Sequence, residues 1–108
     1  GFVTEDQTNA PFTSTELEQI SESIEEAKKQ VHLISGISNE QAELILNKLD
    51  EMKNASNRLG RKDWANFVGG LLTNVAVAAA FTPAITKELF SIVNNAFTWF
   101  FSGMHSIM

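Results

Sequence analysis

Apolar side chains recur every three or four residues along the first half of the chain, which is the spacing of one face of a helix. One series lies in residues 17–34 and a second in residues 42–59. The members are Leu17, Ile20, Ile24, Ala27, Val31 and Ile34, then Ala42, Ile45, Leu49, Met52, Ala55 and Leu59. The first series alternates steps of three and four, which is typical of a coiled-coil seam, and the second does so with one slip between Met52 and Ala55. We therefore predict two helices, at about 15–35 and 39–59, that pack against each other.

Capping residues support these two helices. Ser14 or Thr15 can accept amide hydrogens at the start of the first helix, and Gly36 is expected to end it. Ser38 followed by Gln41 fits a capping box that starts the second helix. Because the connection between them is short, the pair is predicted to be an antiparallel coiled-coil hairpin.

Helical spacing continues in the second half, where Gly60 can break the second helix and Asp63 can cap the third. Thr82 followed by Pro83 favours another helix start, since proline fits the first helical turn. Two further helices are expected to form a hydrophobic hairpin, with ranges of about 64–81 and 83–102.

These elements predict an all-α fold of four helices in three segments. Residues 1–13 contain Pro11 and turn-forming residues, and we expect a mobile N-terminal arm whose Phe2 and Phe12 pack onto the body. The predicted charged coiled-coil hairpin occupies residues 14–60 and the uncharged hydrophobic hairpin occupies residues 61–108.

Each helix of the hydrophobic hairpin carries a stripe of small or uncharged polar residues. The stripe consists of Asn66, Gly70, Thr73 and Asn74 in the third helix, and of Ser91, Asn94, Asn95 and Thr98 in the fourth. Such a stripe is typical of helix packing in a membrane bundle, of a pore lumen, or of the partly exposed side of a helical bundle. The expected buried faces are Phe67, Leu71, Val75 and Ala78, then Leu89, Ile92, Val93, Ala96, Phe97 and Phe100.

Four aromatic residues near the end of the chain cover almost a full helical turn. They are Phe97, Trp99, Phe100 and Phe101. Because one core cannot bury all sides of a helix, some of them are expected to meet lipid, a second chain or the first hairpin.

The distribution of charge divides the chain into the same two halves. The 108 residues have a net charge of −5. Residues 1–63 carry seven basic and twelve acidic side chains, whereas residues 64–108 carry only Lys87 and Glu88. No large basic face is present in the sequence, which argues against a nucleic-acid partner.

Residue types that carry chemistry are sparse. The chain has no cysteine, which excludes a disulfide scaffold, a thiol nucleophile and a cysteine-based zinc site. His32 and His105 have no carboxylate or second histidine at ligand spacing, so we expect neither a metal nor another cofactor. No phosphate-binding loop or nucleophile elbow occurs, and an enzyme is therefore not expected.

Three cations precede the uncharged half, and two interpretations of them stay open. Arg58, Arg61 and Lys62 stand directly before Trp64. They fit two roles equally well. One is a polar turn between helices, and the other is a membrane boundary, where cations lie on the cytoplasmic side and tryptophan lies at the interface. Trp99 is the second candidate for an interfacial position.

The string RLGRKDW, from Arg58 to Trp64, resembles a stretch in uncharacterised bacterial proteins. In those proteins a charged helical segment precedes a short hydrophobic helical tail. The resemblance covers about residues 40–102. It implies a bacterial origin and the two-part organisation, and it brings no activity with it.

Two functions are compatible with this organisation. The first is a non-enzymatic, self-associating module that inserts into or lies on a bacterial inner membrane, with cytoplasmic termini and the lipid bilayer as a partner. The second is a soluble, cytoplasmic four-helix bundle that acts as a structural or interaction domain and covers its apolar surface by dimerisation. The mean hydropathy of the uncharged segments is lower than that of typical membrane spans, which favours the second function. The charge-free length favours the first.

Overall fold

A computed structural model describes residues 9–101 of the chain. The helices are α1 (Ser14–Val31), α2 (Asn39–Ala55), α3 (Arg61–Ala78), α4 (Pro83–Ala96) and the short α5 (Thr98–Phe101). No β-strand forms between residues 9 and 101, so the prediction of an all-α chain is confirmed for this range.

Contacts of the Trp64 side chain bring the termini of four helices together at one end of the molecule. The Trp64 indole, at the start of α3, donates a hydrogen bond to the Met52 carbonyl near the end of α2, with 2.8 Å between the atoms. The Phe12 ring, which precedes α1, lies 5.6 Å from the Trp64 ring. Phe97, which follows α4, lies 5.3 Å from it. Thus α1 and α3 begin where α2 and α4 end.

The opposite end is joined by a contact between α2 and α3. Gln41, in the first turn of α2, donates its side-chain amide to the Ala79 carbonyl just after α3, at 3.4 Å. Successive long helices therefore alternate in direction. Helix α1 packs against α2 and α4, and α2 packs against α3, whereas α3 and α4 contact each other least among these neighbours.

The two predicted apolar series of the first half form the core. Their buried members are Ile20, Ile24, Ala27, Val31 and Ile34, then Ala42, Ile45, Leu49, Met52 and Ala55. Leu17 and Leu59, at the two ends of the series, are partly buried against this core. The spacing therefore located the buried side of both helices.

The ends of α1 differ from the prediction. The N-cap is Thr13, whose hydroxyl accepts from the Glu16 amide while the Glu16 carboxylate accepts from the Thr13 amide. The helix ends at Val31, because the Leu33 amide turns back to the Gln30 carbonyl in a tighter turn. Gly36 does adopt a left-handed conformation, with φ of +80°, but it does so within the connection.

The start of α2 matches the predicted capping box. The Ser38 hydroxyl accepts from the Gln41 amide, and the Gln41 side chain accepts from the Ser38 amide. Thr82 likewise caps α4 by accepting from the Ile85 amide, with Pro83 in the first turn.

Helix α3 corrects two expectations. It begins at Arg61 with Gly60 as N-cap, so Asp63 lies inside the first turn and does not cap it. The buried positions of α3 are also shifted by about one residue along the sequence from those expected. Helix α3 is apolar on several sides, and packing against α2 determines which side is buried. The fully buried members are Trp64, Val68, Leu72 and Val75. Phe67 and Leu71 are partly buried, and Ala78 is exposed.

The last predicted helix, 83–102, is interrupted. Phe97 leaves helical geometry at φ −109° and ψ 26°, and α5 begins at Thr98. Phe97 and Phe100 are both buried, as expected, while Trp99 and Phe101 are half-buried.

Part of the predicted arm is packed onto the body. Asn9 exchanges two hydrogen bonds with Asp63, and the Ala10 carbonyl accepts from the Arg61 amide at 3.0 Å. Phe12 is buried, as expected. Residues 9–13 thus differ from the mobile arm predicted over residues 1–13, and residues 1–8, with Phe2, lie outside the described residues.

Candidate functional site

An apolar groove separates α3 from α4. One part has a volume of about 540 Å³, and its floor is formed by the buried side chains of Val68, Leu72 and Val93. Gly69 lies on its α3 side and Phe90 lies on its α4 side. The groove lies where α3 and α4 contact each other less than they contact their other neighbours, which leaves apolar side chains of the core within reach of solvent.

A second part of the groove, of about 400 Å³, continues toward the other end of α3. Thr73, Ala76 and Val77 line it from α3. Phe90 lines both parts, so the two parts lie next to each other along α3. Val77 is 76% exposed and Phe90 is 38% exposed, although both are apolar.

The groove is almost without charge. Lys87 is the one charged side chain that lines either part, and it forms no ion pair with another described residue. The ion pairs lie elsewhere, on α1 and α2 and at the start of α3. Outside the first turn of α3, the exposed face of α3 and α4 therefore carries only Lys87 and Glu88 as charged residues, beside apolar and neutral polar side chains.

The eight residues of the predicted stripe are all exposed, seven on α3 and α4 and Thr98 at the start of α5. They are Asn66, Gly70, Thr73, Asn74, Ser91, Asn94, Asn95 and Thr98. Thr73, Ser91 and Asn94 line the groove. The Thr73 hydroxyl donates to the Gly69 carbonyl within α3, and the Thr98 hydroxyl donates to the Asn94 and Asn95 carbonyls in α4. Their roles in packing or in a lumen stay predictions.

Two glycines, Gly69 and Gly70, lie in the middle of α3. Among residues 9–101, a Cβ added to either glycine would have no heavy atom within 4 Å, apart from its chain neighbours and the backbone of its own helix. No close contact in that range therefore requires glycine at either position. Glycine weakens a helix interior relative to alanine, so the pair lowers the stability of α3. No contact between residues 9 and 101 at these positions offsets that loss.

The membrane-boundary candidates occupy different environments. Arg58 and Lys62 are exposed, whereas the Trp64 indole is completely buried and has no face with which to meet an interface. Trp99 is half-buried and donates its indole N–H to the Ser23 hydroxyl at 2.9 Å. A boundary role for the exposed cations stays a prediction.

Arg61 fastens the N-terminal segment to α3. Its guanidinium donates to the Ala10 and Pro11 carbonyls at 3.1 and 3.0 Å and to the Glu16 carboxylate. It also lies over the Phe12 ring, 5.6 Å from the centroid. The hydrogen bond from Arg61 lowers the pKa of Glu16 below its ordinary value, against the opposing effect of burial.

The buried hydroxyl of Ser23 and the capping amide of Asn9 are two polar contributions that the sequence pattern did not reveal. Each acts on a partner more than fifty positions away, Trp99 and Asp63 respectively. No local spacing signals such a pair.

Within residues 9–101, no three His, Asp or Glu side chains come together as a metal site would require. None of the helices there has both the length and the hydropathy to cross a bilayer. His32 is exposed, and His105 lies outside the described residues.

Comparisons with protein-family models, with curated proteins and with solved structures found no match.

Proposed function

We propose that this chain is a non-enzymatic module that associates with a second copy of itself through α3 and α4. In this proposal the long helices act as a coiled-coil hairpin and a hydrophobic hairpin, packed together as a four-helix bundle. One observation carries the proposal, namely the apolar, nearly uncharged groove between α3 and α4.

Apolar exposure on this face provides the driving force. Burying apolar surface contributes roughly 25 cal/mol per Å², and grouped apolar side chains on a protein surface commonly mark an interface. Val77 and Phe90 are exposed beside the groove and would lose contact with water when a partner covers it.

The charge distribution favours a second copy as the partner. Like charges brought together at an interface oppose association. Residues 1–63 hold the whole net charge of −5, whereas residues 64–108 have one Lys and one Glu. When two copies meet through α3 and α4, their acidic halves stay apart and nearly neutral surfaces come together.

Light scattering coupled to size-exclusion chromatography, run over a range of protein concentrations, tests this proposal. We expect a monomer–dimer equilibrium, and we expect Val77→Lys to weaken it at least tenfold because a two-fold interface places the new charge twice. Leu33→Lys is the matched control, since Leu33 has nearly the same exposure, 72% against 76%, and lies between α1 and α2. A wild-type chain that stays monomeric at all concentrations would overturn the proposal.

A module that inserts into or lies on a bacterial inner membrane, with cytoplasmic termini, is the second candidate. The exposed cations Arg58 and Lys62 at the beginning of the uncharged half favour it. Flotation with vesicles of mixed neutral and anionic lipids tests it. We expect Arg58→Gln combined with Lys62→Gln to reduce binding, and absence of flotation by the wild-type chain would reject a bilayer as the partner.

A further inference from the structure

We infer that the two copies dock with α3 against α3, and that the helices cross nearly antiparallel at Gly69 and Gly70. This inference rests on the proposed self-association and adds its geometry. It assigns a function to the glycine pair, which has no packing role among residues 9–101.

The position of the glycine pair fits a symmetric crossing. Helix α3 runs from residue 61 to residue 78, so its midpoint falls between Gly69 and Gly70. Two helices related by a two-fold axis share the longest contact when the axis passes through their midpoints. At that point the backbones approach most closely, and absence of Cβ atoms permits the approach.

One exposed row of side chains runs along α3 through this midpoint. Its members are Lys62, Asn66, Gly70, Thr73 and Val77, which follow one another at steps of three or four and are all exposed. The row lies beside the groove, and the α3 side of the groove is itself lined by small residues such as Ala65 and Gly69. A ridge of side chains from the other α3 can therefore enter the groove opposite Phe90.

Charge complementarity supports the antiparallel arrangement. The last turn of α3 contains no basic residue, so the negative end of its helix dipole has no cation within the helix. In an antiparallel crossing at residues 69 and 70, Lys62 of each copy lies beside the last turn of the other α3. The cation and the dipole then attract each other at both ends of the interface.

Disulfide trapping tests the register, because the chain has no cysteine of its own. Asn66 and Thr73 are equally distant from the midpoint, so each should face the other across the interface. In an oxidised equimolar mixture of Asn66→Cys and Thr73→Cys chains, we expect the mixed disulfide to exceed its statistical share. Asn47→Cys, on an exposed part of α2, is the control and should stay uncrosslinked.

The double variant Gly69→Ala with Gly70→Ala provides a second test, because it should strengthen the fold of the monomer and weaken the dimer. We expect the denaturation midpoint of the monomer to rise, since alanine favours helix, and the dimer dissociation constant to increase at least tenfold. Asn47→Ala should raise the midpoint and leave dissociation unchanged. If the wild-type chain dimerises but the mixed disulfide forms only at its statistical share, this geometry alone is overturned. The same holds if the double variant dissociates as the wild type does. Absence of a wild-type dimer overturns the proposed function as well.

Discussion

The indole N–H of Trp99 donates a hydrogen bond to the buried hydroxyl of Ser23, with 2.9 Å between Nε1 and Oγ. This contact ties α5 to α1 across 76 positions of sequence. Trp99 lies just beyond Phe97, where the backbone leaves helical dihedrals between α4 and α5.

We expect Trp99→Phe to lower the free energy of unfolding by about 1–2 kcal/mol, because the Ser23 hydroxyl would lose its partner in a buried position. Ser23→Ala should cost less, since the half-buried indole can reach water. Urea denaturation of the two single variants and of the double variant measures the coupling. A double variant whose loss equals the sum of the single losses would show that the two side chains do not interact.

Gly60 is required by the close approach of the N-terminal segment. A Cβ on Gly60 would lie 1.9 Å from the Asn9 carbonyl oxygen, and backbone cannot yield as a flexible side chain does. We expect Gly60→Ala to cost about 1–3 kcal/mol and to release residues 9–12 from the start of α3. Hydrogen exchange at the Arg61 and Asp63 amides, which are bonded to this segment, measures the release.

Asn9→Ala serves as the comparison for Gly60→Ala. It removes the side-chain cap on the Asp63 amide and keeps the space beside Gly60, so a loss of about 1 kcal/mol is expected. If Gly60→Ala left both stability and the exchange of these amides unchanged, the docking of the N-terminal segment would be wrong.

Local signals made much of the fold predictable. The caps at Ser38 and Thr82 depend on side chains within three residues of the helix start, and the apolar series of α1 and α2 each have one apolar side. Helix α3 lacked such contrast, because apolar residues occur around most of its circumference. Its buried side is therefore decided by α2, which no spacing within α3 reports.

The groove was only partly accessible from sequence. Helical spacing grouped the stripe residues on one side of each helix and left open whether that side is exposed. The sparse contact between α3 and α4 was not predictable, since the distance between two helices depends on all of their packed side chains together. The break at Phe97 carries neither glycine nor proline, the usual sequence signals for such a break.

The ion pair between Arg61 and Glu16 should make stability depend on acid pH. Because Arg61 lowers the pKa of Glu16 below its ordinary value of 4.5, the stabilisation is present above that value and is lost as pH falls through the lowered pKa. We expect Glu16→Gln to cost about 1 kcal/mol at neutral pH. Measured by denaturant titration, the difference between wild type and variant should shrink as the pH falls below 4.5. A difference that stays constant down to the pH at which both proteins unfold in acid would contradict the assignment.

The ion pair between Lys28 and Asp50 should make stability depend on pH in the alkaline range, in the opposite sense. The hydrogen bond to Asp50, with 2.6 Å between Nζ and Oδ1, raises the pKa of Lys28 above its ordinary value of 10.5. Its contribution is complete below that value and is lost as pH rises through the raised pKa. We expect Lys28→Gln to reduce stability at pH 7 and to make no difference when both forms are compared at a pH above the raised value. Equal losses at both pH values would exclude charge as the cause.

Ala80 occupies a backbone position that suits glycine. The Phe81 amide donates to the Ala76 carbonyl at 2.9 Å and the Ala80 amide donates to the Val77 carbonyl at 3.2 Å, which closes α3 in a Schellman motif. The motif requires a left-handed residue, and Ala80 supplies it at φ of +53°.

A left-handed conformation costs a residue with a Cβ about 1–2 kcal/mol, which exceeds the entropy that glycine adds to the unfolded chain. We therefore expect Ala80→Gly to stabilise the chain by about 0.5–1 kcal/mol. Ala78→Gly, two residues earlier and inside the helix, should destabilise it by a similar amount. Thermal and urea denaturation at low protein concentration measure both changes without a contribution from self-association. If both variants lost stability equally, α3 would not end in this motif.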